Sequence, residues 1–274
     1  MDPDIAHNIQ LAATAIRSAD ALLIGAGAGM GVDSGLPDFR GNDGFWKAYP
    51  PFHGQSFAQL STPHWFDTDP GLAWGFFGHR LNLYRAATPH AGFEILHRWG
   101  EARPLGYFVF TSNVDGQFQK AGFPEDRIVE RSGSIRHLQC VAGCSRDIWP
   151  AGDICVEVDE PTVRAHGDLP CCPHCGGLAR PNIRMFNDNT WLKERSEEQR
   201  ARYTQWLGQR EGRRVVAIEL GAGLAIPTVR KECQRRGNPL IRINPRDPQA
   251  SSGAISIGLG ALDALQEIDW VLGS

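Results

Sequence analysis

The chain has 274 residues, long enough for one large domain or for one that carries a small inserted module. Hydrophobic residues make up 42% and charged residues 22%, the proportions of an ordinary globular protein. A formal net charge of −3 gives no electrostatic reason to expect nucleic acid or an anionic membrane as partner, and apolar runs such as 21–24 or Val215–Leu220 are too short to span a bilayer. The first residues, Met1-Asp2-Pro3-Asp4, lack a basic region followed by an apolar core, so a cytoplasmic protein is expected. In that setting seven cysteines read as thiols or metal ligands rather than a disulfide framework.

Residues 4–19 place Ile5, Ile9, Leu11, Ala12 and Ile16 at helical spacing. The run 21–24 follows and ends at Gly25, which gives helix, buried strand, glycine-rich turn. In Gly25-Ala26-Gly27-Ala28-Gly29-Met30-Gly31 the small residues would let backbone N–H groups approach a pyrophosphate. A dehydrogenase-type G-x-G-x-x-G fails there, because Met30 or Val32 stands at the third glycine. About 20 residues on, where an acidic ribose ligand belongs, the sequence reads Phe45-Trp46-Lys47, which argues against hydride transfer.

Residues 41–89, rich in aromatics, Pro and Gly, predict a helical or loop module over the edge of the sheet. Further buried runs at 107–110, 128–129, Val215–Leu220, Leu240–Ile243 and Ile255–Ile257 lack polar alternation, as strands of a parallel sheet covered on both faces do. Helical stretches at 191–209 and 259–268 alternate with them. The fold class is therefore α/β, a Rossmann-like doubly wound parallel sheet. The expected division is a nucleotide-binding part over 1–40, 90–135 and 185–274, a helical module over 41–89 and a metal-binding module over 136–184.

That last segment holds six of the seven cysteines and too few apolar residues for a core of its own. Cys140-x₃-Cys144 and Cys172-x₂-Cys175, with 27 residues between the pairs, offer four thiolates for a closed tetrahedral Zn²⁺ site. Cys171 and His174 compete for the fourth place. Cys155 and Cys233 read as core thiols.

Five segments together resemble the sirtuin (Sir2) family. Gly27-Ala28-Gly29 with Ser34-Gly35-Leu36-Pro37-Asp38-Phe39-Arg40-Gly41 is similar to GAG…SGIPDFRG, and Thr111-Ser112-Asn113-Val114-Asp115-Gly116 to TQNIDG. Val129-Glu130-Arg131-Ser132-Gly133-Ser134 resembles VELHGS, and Gly221-Ala222-Gly223 stands where the family has GTS. Asn244 matches a ribose-contacting Asn. The segment 180–188, with Ile183, Arg184, Phe186 and Asn187, resembles the substrate edge RPxVVxFGE.

The resemblance implies an NAD⁺-dependent protein-lysine deacylase that moves the acyl group from lysine to ADP-ribose and releases nicotinamide. It implies that Asp38, Phe39 and Arg40 cover the cofactor, that Asn113 and Asp115 orient its nicotinamide end, and that a zinc ribbon is structural. An acylated protein or peptide is the implied partner.

Four departures qualify this. Ser132 occupies the place of the general-base histidine, and a serine hydroxyl is not ionised near neutrality. Nicotinamide displacement does not need that base, so ADP-ribosyl transfer or NAD⁺ hydrolysis is the alternative, and a non-catalytic NAD⁺ or ADP-ribose sensor a further one. Ser112 replaces a Gln, Gly221-Ala222-Gly223 lacks two hydroxyls, and Arg184 is a cation in place of an apolar residue. Phe77 and Arg80 form half of the Tyr-x-x-Arg pair of acidic-acyl deacylases, and His137 is a remote candidate to replace the base.

Overall fold

The computed structural model describes residues 2–38 and 41–273. Asp2 accepts the N–H of Asp4 at 2.8 Å and Pro3 opens the first turn, so α1 (Pro3–Arg17) begins where a cap and a prolyl first residue dictate. Strand β1 (Ala21–Ala26) is buried along its whole length. A 3-10 segment (Ala28–Ser34) leads to the helical module: α2 (Gly41–Ala48), α3 (Phe57–Leu60), α4 (His64–Thr68) and α5 (Pro70–Ala86). Then come α6 (Ala91–Glu101), β2 (Tyr107–Thr111), α7 (Gln117–Lys120) and β3 (Ile128–Glu130). The cysteine-bearing segment contains β4 (Gly133–Cys140), β5 (Trp149–Pro150), β6 (Glu157–Asp159), β7 (Arg164–His166) and β8 (Ala179–Ile183). The chain returns through α8 (Glu194–Gly208), β9 (Val215–Leu220), α9 (Thr228–Arg236), β10 (Leu240–Ile243), β11 (Ile255–Ile257) and α10 (Ala261–Gly273).

Six strands form one sheet in the order β11-β10-β9-β1-β2-β3, all parallel. From β1 the chain winds outward through β2 to β3, then crosses back to β9 and winds the other way. The topological switch point, where doubly wound sheets open a crevice beyond the carboxyl ends of their strands, lies between β1 and β9. Residues of α1, α6 and α10, among them Ile9, Ile16, Leu96 and Leu265, cover one face, and Tyr203 and Trp206 of α8 with Val229 and Cys233 of α9 cover the other. Cover on both faces explains the unbroken apolar strands.

Three helices, α6, α7 and α9, go beyond the expected elements. Phe93, Leu96 and Trp99 do give α6 an apolar face at helical spacing that was open to reading from the sequence, α7 is a single turn, and α9 offers mainly Val229 and Cys233. Cys233 is a buried core thiol, as expected. Cys155 is not: it is exposed, its sulfur 3.9 Å from the Asn82 side-chain oxygen.

The cysteine-bearing segment also differs from expectation in how it is held. Leu138, Ala151, Val156, Val163 and Ala179 join Phe66, Trp74, Phe76 and Phe77 in a second core shared with the helical module. Trp74 Nε1 donates to the carbonyl of Ala179 at 2.9 Å. The segment lacks a core of its own, and packing on α5 supplies one in common.

Candidate functional site

At the β1/β9 switch point the two strands approach each other through glycine. A Cβ added to Gly27 would lie 2.6 Å from the Ala222 Cα, and one added to Gly29 would lie 2.7 Å from the Gly221 Cα. The N–H groups of Gly27 and Gly29 are donated to the carbonyls of Leu220 and Gly221 at 2.9 and 3.1 Å. These glycines thus serve close approach of two turns, with the N–H groups of Gly27 and Gly29 taken up between them. Beyond them lies a recess of about 70 Å³ lined by Gly29, Asp38, Gly221, Asn244 and Arg246, with Arg246 paired to Asp38 at 3.1 Å. Asn244 is fully buried. Its Nδ2 donates to the Ala222 carbonyl at 3.1 Å, and its Oδ1 accepts from the N–H groups of Arg246 and Asp247 at 3.1 and 3.0 Å. It ties the β9 and β10 turns into one wall. Ala28 and Gly223 flank the same turns, and Phe39 and Arg40 lie outside the described residues.

The loop after β2 is fastened to β1. Thr111 Oγ1 donates to the Ala26 carbonyl at 2.9 Å, the Ser112 N–H to the same carbonyl at 3.2 Å, and Asn113 Nδ2 to the Gly27 carbonyl at 3.0 Å. Asp115 follows, its Oδ1 accepting the Gln117 N–H at 2.9 Å. Burial pushes its carboxyl up to about 6, and Glu130 adds to the rise while Arg80 opposes it. Arg80 is buried, its guanidinium about 5.5 Å from the ring centroids of Phe57, Phe76, Phe77 and Tyr84, and its Nε donates to the Tyr84 hydroxyl at 3.1 Å. A cavity of about 620 Å³ opens on the side of Asp115 that faces Tyr84, Arg136 and His137. His137 has a buried Nδ1 without a partner, and burial lowers its pKa to about 4. It pairs with Pro150 at the β4–β5 edge, five residues past Ser132 along the strand, so no backbone register brings it to the position of the missing histidine.

The loop after β3 carries Ser132. Gly133 sits at φ +79°, and a Cβ there would lie 2.0 Å from the Asn182 carbonyl oxygen, so only glycine fits. The Ser132 carbonyl accepts the Arg184 N–H at 2.9 Å, which joins the loop to the end of β8, where Ile183 pairs with Gly133. The edge continues through exposed Phe186, whose N–H donates to the Ser61 carbonyl at 2.9 Å, and Asn187 at φ +53°. A buried pair fixes this turn: Arg180 NH2 lies 2.5 Å from Asp188 Oδ2, and Asp188 also accepts the N–H groups of Met185 and Thr190 at 3.2 and 3.0 Å. Glu130, also buried, takes Arg195 at 2.6 Å and Gln199 at 3.3 Å, which anchors α8 beside the Ser132 loop. Neither acid stands out in the sequence, because each ion pair closes across an intervening turn or element.

The sulfur atoms of Cys140, Cys144, Cys172 and Cys175 all lie within 4.8 Å of one another, with Cys140–Cys175 at 3.7 Å and Cys144–Cys172 at 3.5 Å. Four sulfurs at about 2.3 Å from one zinc stand roughly 3.8 Å apart in a tetrahedron, so the donor set fits Zn²⁺. Cys171 is not among them, its thiol donating to the Leu169 carbonyl at 3.2 Å, and His174 instead meets Asp147 at 2.6 Å. The cluster that could hold the metal is thus made of the two close pairs.

The Sir2 family profile matches residues 27–203, nearly two thirds of the chain. The chain belongs to the Sir2 family. Among its Sir2 relatives, an NAD-dependent protein deacylase of Aeropyrum pernix is 30% identical over 237 residues, 85% of this chain and 84% of that protein. A probable bifunctional ADP-ribose hydrolase/ADP-ribosyltransferase of Fusarium oxysporum f. sp. cubense is 28% identical over 234 residues, covering 81% of this chain and 38% of its own length. A solved Sir2 homolog–NAD complex superposes with a TM-score of 0.69 at 21% identity, covering 95% of this chain and 93% of that one. The fold of this Sir2 chain is therefore the Sir2 fold, with the four-cysteine cluster and the switch-point crevice in place. Among the described residues no helix is long and apolar enough to cross a membrane.

Proposed function

We propose that the chain is an NAD⁺-dependent protein-lysine deacylase of the Sir2 type, acting on acylated protein or peptide. The observation that carries this reading is the junction of the β2 and β3 loops at the end of the sheet. There Asn113 is bonded to the β1 turn, Asp115 stands on the same loop, and Ser132 is bonded to the β8 edge. NAD⁺ supplies an electrophilic ribose carbon and a neutral leaving group when bound. Gly27, Ala28 and Gly29 with Gly221, Ala222, Gly223, Asp38, Asn244 and the 39–40 segment would form its bed, while Ser112, Asn113 and Asp115 would orient its nicotinamide half. Ile183, Arg184, Phe186 and Asn187 would present the edge along which a substrate peptide lies. The zinc cluster is remote from these groups and structural.

Ser132 favours a second reading. A hydroxyl with no ionisable partner cannot accept a proton from a ribose hydroxyl as an imidazole does. Cleavage of NAD⁺ needs no such base, so ADP-ribosyl transfer or hydrolysis is the activity that this loop would retain.

The test measures nicotinamide release and lysine deacylation with a panel of acyl-lysine peptides, for the chain and for Ser132→His. Deacylation that rises with the histidine supports the first reading. A histidine variant that binds NAD⁺ and stays silent on every acyl peptide sinks it. Steady nicotinamide release without deacylation selects the second, and binding with less than one turnover selects a sensor.

A further inference from the structure

Three arginines stand on the segments that meet at the Ser132 loop, Arg131 half-buried and Arg184 and Arg200 exposed. Arg131 precedes it, its N–H bonded to the Thr111 carbonyl at 2.9 Å. Arg184 lies across from it, joined through the 2.9 Å bond to the Ser132 carbonyl. Arg200 follows Gln199, whose Oε1 accepts the Glu130 N–H at 3.0 Å, on the helix turn where Ser196 Oγ also donates to the Glu130 carbonyl at 3.0 Å. These bonds bring the ends of β3 and β8 and the first turns of α8 together, with an arginine on each segment.

Their charges are felt mutually. Arg131 is half-buried, and after burial the groups that most disfavour its charge are Arg200 and then Arg184. The other arginines of this region are neutralised: Arg180 by Asp188, Arg195 by Glu130 and Glu125. Glu232, the one acid that supports Arg131, is engaged by the Tyr203 hydroxyl, Arg235 and Arg236. Among the described residues the guanidinium groups of Arg131, Arg184 and Arg200 make no hydrogen bond and no ion pair. Arginine does not discharge at any relevant pH, and guanidinium forks suit a carboxylate.

We infer that Arg131, Arg184 and Arg200 form a carboxylate-binding subsite beside Ser132, through which the chain selects acidic substrates. The carboxylate comes from side chains flanking the modified lysine or from the tail of the acyl group. The inference rests on the deacylase-type reading only for the identity of the residue presented.

The test is fluorescence anisotropy with labelled peptides carrying acetyl-lysine between acidic, neutral or basic neighbours, and succinyl-lysine between neutral ones. Runs at low and high salt compare the chain with an Arg131→Gln/Arg184→Gln/Arg200→Gln variant, and NAD⁺ binding reports that this variant is folded. Acidic neighbours should tighten binding roughly tenfold over neutral ones at low salt, with the advantage fading at high salt and lost in the variant. A gain confined to succinyl-lysine, again lost in the variant, supports the subsite and makes the acyl tail its ligand. Equal binding of all peptides, or a preference that survives in the variant, overturns it. Arginine-dependent binding without turnover, even after Ser132→His, supports the subsite and rejects deacylation.

Discussion

The loops that leave β2 and β3 lie next to each other, since Thr111 pairs with Glu130 and the Arg131 N–H reaches the Thr111 carbonyl. The β2 loop matches the family pattern at Asn113 and Asp115, and each side chain there has a backbone partner. The β3 loop keeps the family geometry and loses its chemistry. Gly133 holds the strained backbone and the Ser132 carbonyl holds the β8 edge, yet the Ser132 hydroxyl bonds to nothing among the described residues. Backbone position and side-chain chemistry are therefore separable here. The first is set by close packing that few residues satisfy, the second by one side chain that packing does not constrain.

The strongest way to break this comparison is to restore the base. If the β3 loop has kept its geometry, Ser132→His should raise deacylation by about 10²–10⁴-fold while NAD⁺ affinity changes little. Single-turnover acyl transfer checks it. An unchanged rate would mean that the loop differs in position as well as in chemistry.

The next effect concerns the edge that the β3 loop grips. Arg180 and Asp188 are almost fully buried, and removing one partner leaves the other charge without compensation. Asp188→Ala should cost about 3–5 kcal/mol in urea unfolding, and it should release the turn that positions Phe186 and Asn187. A loss below about 1 kcal/mol would show that the pair does not hold the edge.

A smaller and more local effect is expected at the metal cluster. Cys172→Ser should take zinc from about one per chain to none by elemental analysis. Because Val156, Val163 and Leu138 pack with the aromatic residues of α5, new protease cleavage should concentrate near exposed Cys144 and Cys175. Cleavage throughout 141–178 would mean that the metal, and not the shared core, holds this segment.

The sheet was legible in the sequence because parallel strands covered on both faces leave unbroken apolar runs, and all six expected strands lie in it. The four clustered cysteines were legible because a metal site demands close pairs. What stayed hidden closes over distance. Arg180 and Asp188 meet across a turn, Glu130 meets Arg195 across 64 residues of intervening chain, and Arg131, Arg184 and Arg200 come from three elements. The shared core was missed for the same reason: Val156 and Val163 are isolated apolar residues whose partners lie on α5. The close approach of Gly27 and Gly29 to the β9 turn was hidden as well, because a turn that needs glycine for a phosphate looks the same in sequence as one that needs it for a neighbouring strand.

The smallest effect tests the β2 loop, where the family side chains are retained. Burial raises the Asp115 carboxyl to about 6, from an ordinary value near 3.8. Folding therefore favours its neutral form. The stabilisation is complete below about pH 3.8 and is lost as pH rises through about 6, so at neutral pH the folded protein carries a carboxylate it would rather protonate. Asp115→Asn keeps the shape, still accepts the Gln117 N–H, and removes the charge. Its melting temperature should exceed that of the unmodified chain by about 2–4 °C at pH 7.5, and the difference should vanish near pH 4. Nicotinamide release should fall in the same variant, since a group held against its own stability is one that function retains. Equal melting temperatures at both pH values would show that Asp115 is comfortably solvated, and the contrast between a strained acid on one loop and a silent hydroxyl on the next would disappear.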